Sequence, residues 1–164
     1  MQLYYAAADY RGQKMYVFGN QSGVVFVGTP GASPEEVKIQ LKHCDISPSS
    51  SCLVSPIQQL TEYFQGERRT FDISREIITG TALQKQVWHE LNTIPYGETI
   101  SYSDLAARVG KPKAIRAVAT AVAKNPLMIF NPCHRVIRQS GAIGNYRGGV
   151  QMKRTLLSLE RGHQ

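Results

Sequence analysis

The sequence predicts an α/β protein of the α+β kind, with a small sheet-and-helix domain over residues 1–75 and a mainly helical domain over 76–164. Three observations carry this. Short strand-like apolar runs joined by a turn signal stand near the start, at Tyr16–Phe18 and Gly23–Gly28. Helix-start signals recur at Ser33-Pro34, Ser55-Pro56, Thr81 and Ser101. Charge divides unevenly: residues 1–79 hold 7 Lys+Arg and 8 Asp+Glu, while residues 80–164 hold 12 and 4. Net charges of −1 and +8 thus make up the chain's +7. A basic half beside a near-neutral one suits contact with a polyanion, although a solvated basic surface has the same composition.

The 164 residues suffice for one domain or two small ones. No apolar run approaches the ~18 residues of a membrane span, and the first residues, Met1-Gln2-Leu3-Tyr4-Tyr5, lack a signal-peptide pattern. The cysteines, Cys44, Cys52 and Cys133, are few and odd in number, which suits a reducing, cytoplasmic location. His43, Cys44 and Cys52 match no common zinc spacing, so no metal site is expected.

In the first half, Tyr16–Phe18 and Gly23–Gly28 read as a hairpin across Gly19-Asn20-Gln21-Ser22. Ser33-Pro34-Glu35-Glu36 reads as a capping box opening a helix to about Lys42. Asp45–Ser51 reads as a polar loop. Ser55-Pro56 repeats the capping pattern for a helix through Phe64, ended by Gly66, and Phe71–Ile73 is extended. Residues 74–80 form the link.

In the second half, Thr81 with Gln84 caps a helix to about Asn92, with Val87, Trp88 and Leu91 on its apolar face. Ser101 with Asp104 opens a short helix that stops at Gly110, and another runs after Lys111-Pro112 to about Lys124, stopped by Asn125-Pro126. Two short helices across a glycine turn suggest a helix-turn-helix. The second is rich in alanine, which permits close approach of the protein's own core, of DNA, or of both on opposite faces. Lys111 and Lys113 flank its start, a ready phosphate site, and Arg116 is its one long cation. It is poor in residues that read bases in the major groove, which suits binding without sequence choice. A last helix from Val150 turns Met152, Leu156, Leu157 and Leu159 inward and places Glu160 near its end, where a carboxylate is disfavoured unless a cation pairs with it.

Between these helices lies Asn131-Pro132-Cys133-His134-Arg135-Val136. The apolar run Leu127–Phe130 reads as a buried strand ending at Pro132, leaving Cys133 on a rigid edge. His134, Arg135 and Arg138 would favour its thiolate. Neighbouring residues rarely face each other, so a turn or a water must connect His134 to the thiol. By themselves, a cysteine and a histidine are as readily structural as reactive.

Pro132-Cys133-His134-Arg135-Val136 resembles the signature of the O6-alkylguanine-DNA alkyltransferases. The resemblance extends through Gly80–Gln84, Gln86–Trp88, Ile94–Thr99, Ser101-Tyr102, Ala114–Val118 and Asn125-Pro126 upstream. Downstream it takes in Gly144–Gly149, Lys153, Leu156-Leu157 and Glu160. It is dense from about residue 72 to 162 and loose before that. It implies a ribonuclease-H-like first domain without nuclease activity, followed by a domain with a winged helix-turn-helix whose helix lies in the minor groove.

The activity implied is direct-reversal repair: one alkyl group moves from O6 of guanine, or O4 of thymine, in double-stranded DNA to the protein's own cysteine. The resemblance makes Cys133 the nucleophile, His134 a base acting through water, Glu160 the residue that orients it, and Asn125 a brace. Tyr102 and Lys153 assist proton delivery to the leaving guanine. Arg116 fills the gap left by the flipped base, and Tyr102, Ile115, Ala119 and Ala123 also contact DNA. Val136, Tyr146, Arg147 and Gly148 form the substrate pocket. No cofactor or metal is implied, and the protein is expected to act as a monomer, once. Asn131, Leu83 and Arg147 depart from the family pattern, and Arg147 bears on pocket width. A non-catalytic DNA-binding module and a cysteine hydrolase are the alternatives.

Overall fold

In the computed structural model, residues 1–162 are described, and the chain divides into two units, Met1–Thr79 and Gly80–Gln164. The first unit holds a four-stranded sheet in the order β3-β2-β1-β4, from β1 (Gln2–Tyr10), β2 (Gln13–Asn20), β3 (Gly23–Val27) and β4 (Asp45–Pro48). β1–β2 and β2–β3 are antiparallel, whereas β1 and β4 run parallel with Leu3 opposite Ile46. The β1–β2 turn places Arg11 at φ 50° and Gly12 at φ 84°, a left-handed pair whose twist matches that of the flanking strands. Its core gathers Leu3, Phe18, Val25, Phe26, Val37, Leu41 and Cys44.

Several expectations for this unit need correction. The segment read as a polar loop contains β4, because pairing with β1 supplies the hydrogen bonds that its own composition does not advertise. The helix after Ser33 is shorter than expected: a 3-10 turn over Pro34–Glu36, then α1 (Val37–Gln40). Ser33 Oγ does accept from Glu35 N at 3.1 Å. The Glu36 carboxylate, however, turns to Thr29 N (2.9 Å) and Thr29 Oγ1 (2.7 Å), so the reciprocal box is not made. α2 (Val54–Phe64) begins before Ser55, which lies inside it and accepts from Gln59 Nε2 at 2.9 Å.

The second unit holds α3 (Ala82–Leu91), β5 (Ile100–Ser101), α4 (Tyr102–Arg108), α5 (Ile115–Ala123), β6 (Val136–Ile137) and α6 (Val150–Gly162). Thr81 and Gln84 make the reciprocal box at the start of α3. Buried Trp88 donates from Nε1 to the Ala121 carbonyl at 2.7 Å and so ties α3 to α5. Ser101 Oγ accepts from Asp104 N at 3.0 Å, and Gly110, at φ 74°, turns the chain from α4 toward α5. The parallel pair β5–β6 sets Ile100 opposite Val136, which brings the start of α4 beside the cysteine segment. α6 buries Met152, Lys153, Leu156, Leu157 and Glu160; Leu159 is only half-buried. No helix among the described residues is long and apolar enough to cross a membrane.

Candidate active site

The cysteine segment is held by asparagine amides, not by a strand. Leu127–Phe130 is fully buried, yet it forms a turn in which Asn131 N donates to the Leu127 carbonyl at 2.8 Å and Ile129 takes φ 74°. Asn125 does the work that a strand ladder would have done. Its Nδ2 donates to the Asn131 carbonyl (2.8 Å), and its Oδ1 accepts from Leu127 N (3.1 Å). Asn92 Nδ2 holds the Asn131 side chain at 3.0 Å. One amide satisfying two buried backbone groups, the Asn131 carbonyl and Leu127 N, stands in for a neighbouring strand. Cys133 then opens a 3-10 turn, Cys133–Arg135, that leads into β6.

That turn sends Cys133 and His134 to different surroundings. His134 is fully buried, and its Nε2 lies 2.7 Å from Glu160 Oε2 on α6. Arg135 joins the same carboxylate through Nε to Oε1 (2.8 Å) and Nη2 to Oε2 (3.0 Å). Gly97 N also donates to Oε1, at 3.2 Å. Burial alone would push the Glu160 carboxyl up; the hydrogen bonds and charges of His134 and Arg135 win and hold it well below the usual carboxylate range. Burial lowers His134, and the charges of Arg135 and Lys153 add to this against the pull of Glu160.

Cys133 lies on the wall of a cavity of about 570 Å³ shared with Tyr102, Arg116, Asn125, Tyr146 and Arg147. Burial pushes its thiol up, opposed by a hydrogen bond with Asn125 and by the charges of Arg147 and Lys153. Burial thus works against the thiolate that neighbouring cations were expected to favour. Arg135 is bound to Glu160, and the cations acting on the thiol come from further along the chain.

Lys153 is fully buried, with Nζ donating to the carbonyls of Val136 (2.6 Å) and Asn145 (3.3 Å) and lying 5.9 Å from the Tyr102 ring centre. Burial lowers its ammonium to about 8. Burial raises the Tyr102 hydroxyl, with the charge of Cys133 adding and that of Arg138 opposing.

Of the residues singled out from sequence, Cys133, Asn125, Tyr102, Tyr146, Arg147, Arg116, Ile115, Ala119 and Ala123 line this one cavity. His134, Glu160 and Lys153 stand behind its wall. Val136 also lies behind it, fully buried, with its carbonyl taken by Lys153. Gly148 backs the Tyr146 ring: a Cβ there would come within 3.0 Å of that ring and 2.5 Å of Met152 Sδ. Sequence reading missed Arg135 as a partner of Glu160. It also missed that Arg147 Nη2 donates to the Asn125 carbonyl (3.1 Å) and the Pro126 carbonyl (3.4 Å). No local signal marked Arg135, because its burial and its partner depend on how α6 packs over the cysteine turn.

A thiol on a cavity wall beside two short helices joined through a glycine turn, with a buried histidine–carboxylate pair behind it, is an arrangement able to carry cysteine-centred chemistry. The 6-O-methylguanine DNA methyltransferase DNA-binding domain model matches residues 82–162. The inducible methylated-DNA–protein-cysteine methyltransferase of Bacillus subtilis (strain 168) is 37% identical over 163 residues, spanning 97% of this chain and 90% of its own. Crystal structures of Mycobacterium tuberculosis O6-methylguanine methyltransferase (TM-score 0.83) and of the same organism's OGT in complex with DNA (TM-score 0.82) are each 35% identical and cover 99% of this chain and 94% of theirs. The chain belongs to the methylated-DNA–protein-cysteine methyltransferase family.

Proposed function

We propose that this protein repairs DNA by moving the alkyl group of O6-alkylguanine, or O4-alkylthymine, onto Cys133, irreversibly and once per molecule. The observation that carries this is the placement of Cys133 on the wall of the 570 Å³ cavity, with His134 and Glu160 paired at 2.7 Å behind it. A stacked base cannot reach a recessed thiol, so the damaged nucleotide must be flipped out of the duplex, at a cost of a few kcal/mol.

In this reading Arg116, exposed on α5 at the cavity edge, fills the vacated space, while Ile115, Ala119 and Ala123 lie against the DNA. The flipped base rests beside Tyr146. His134, acting through a water molecule, takes the Cys133 proton. The sulfur then forms a bond to the alkyl carbon, the C–O6 bond breaks, and its electron pair leaves with the guanine. Tyr102, with Lys153 behind it, returns a proton to the guanine ring, which completes the balance. The product is a thioether, which water does not cleave under mild conditions, so no second cycle follows. The chemistry calls on no metal or cofactor, and the protein works as a cytoplasmic monomer. The second unit carries the reaction, and the first is of ribonuclease-H-like kind without nuclease activity.

Incubation with duplex DNA bearing O6-[labelled methyl]guanine, followed by mass spectrometry, tests this. Label on Cys133, up to one per molecule, is expected, with none in Cys133→Ala. An unlabelled wild type, or label retained in the variant, would overturn the reading. Steady product release from an ester or amide would instead identify a hydrolase.

A further inference from the structure

Glu160 receives more donors than the orientation of one histidine requires. Arg135 supplies two of them and is itself buried, with Nη1 donating to the Ile94 carbonyl at 2.6 Å and its guanidinium carbon 5.7 Å from the Tyr96 ring centre. We propose that Arg135 is a positioning residue for alkyl transfer: it fixes the Glu160 carboxylate against His134 and offsets its charge, so that His134 rests neutral with its proton on Nε2. This rests on the reading of Cys133 as the alkyl acceptor.

The argument runs from charge and from donor inventory. A lone ionised carboxylate 2.7 Å from a buried imidazole would draw a proton onto the ring. An imidazolium cannot take a second proton, so the base would be spent before reaction. Arg135, always charged and joined to both oxygens, makes the pair neutral as a unit. The charged groups that act on the ring are Glu160 and Lys153 from α6 and Arg135 from its own turn. They amount to one anion against two cations, so the balance of charge opposes a resting imidazolium. An ionised carboxylate only accepts, which puts the ring proton on Nε2 and leaves the Nδ1 lone pair for the proton coming from Cys133. Once that proton arrives, the imidazolium already has its carboxylate at hydrogen-bond distance. Arg135 also keeps Glu160 in place near the end of α6, where the helix dipole repels a carboxylate.

Two measurements on the full chain test this. Nitrogen NMR of wild-type His134 should show a neutral ring with its proton on Nε2 at pH 7, titrating below the ordinary value of about 6.5. An imidazolium at pH 7 would overturn the proposal, and this arm needs no folded variant. The second measurement is the rate of Cys133 alkylation by free O6-methylguanine against pH. In Arg135→Gln the acid limb should move up by about half a pH unit or more, making its deficit several-fold larger at pH 6 than at pH 8. Arg135→Lys, which keeps the charge, should hold the wild-type limb even if slower. A deficit equal at every pH, or an upward shift in the lysine variant, would leave Arg135 a purely structural residue and end the proposal. If the wild type takes no alkyl group at all, the repair function fails, while the ring state read by NMR is decided separately.

Discussion

Nε2 of His134 and Oε2 of Glu160 stand 2.7 Å apart with both side chains shut off from solvent, although 26 residues separate them in the chain. Glu160→Gln would replace the acceptor with an amide and strip Arg135 of its counter-charge. The alkylation rate should fall by about 10²-fold or more, the usual range for loss of a working general base. Breaking a buried pair should also destabilise the protein by about 3–5 kcal/mol. Label transfer to Cys133 at fixed pH, with a denaturant titration alongside, measures both.

Acid should weaken the fold in two stages. His134 has its pKa lowered, so the unfolded chain takes up that proton first, and stability falls as pH drops below about 6.5. Glu160 is also lowered; its contribution is full above about pH 4.3 and is lost further down. Denaturant midpoints between pH 7.5 and 3 should show both stages, and Glu160→Gln should flatten the lower one.

Lys153 predicts a slope of the same sign in alkali. Its folded pKa of about 8 lies below the unfolded value, so the unfolded chain holds more protons between about pH 8 and 10.4. Stability gains from this group as pH rises through that window. The difference in thermal midpoint between wild type and Lys153→Met, followed from pH 7.5 to 9.5, should shift in favour of the wild type.

Arg147 ties the loop before α6 to the Asn125 and Pro126 carbonyls along the cavity wall. Arg147→Ala should release that loop and raise the rate with O6-benzylguanine relative to O6-methylguanine by about tenfold, the worth of about one charge-assisted hydrogen bond. Its charge also lowers the thiol pKa, so the methyl rate near neutral pH should drop a few-fold. Competition between the two free bases reads the ratio directly; an unchanged ratio would remove Arg147 from substrate selection.

Arg116 is exposed on α5 at the rim of the cavity. Arg116→Ala should slow repair in duplex DNA and leave reaction with the free alkylated base nearly intact. Equal losses on both substrates would rule out a role in base extrusion. Duplex binding should weaken steeply with added salt, because phosphate contacts dominate such affinity.

What the sequence made legible was whatever is encoded locally. The α3 cap at Thr81 and Gln84, the stop at Gly110 and the buried stripe of α6 follow from short-range pattern, and the structure has them. β4 was hidden because its strand character comes from β1, forty residues away. Leu127–Phe130 misled for a related reason: an apolar run shows burial but not conformation, and here asparagine amides, not a ladder, satisfy the backbone. At the site, the residue types stood out in the sequence, and His134 with Glu160 could be paired by charge. The second grip on Glu160 and the cations near the thiol could not, because they depend on how α6 and its preceding loop come back over the cysteine turn.

Glu160 comes from α6, the last helix described, and this has a bearing on synthesis. As the chain leaves the ribosome, Cys133 and His134 emerge before the carboxylate that readies them. Until α6 has formed, His134 and Arg135 have no carboxylate to bind, so the ion-paired cluster behind Cys133 closes only when that helix docks.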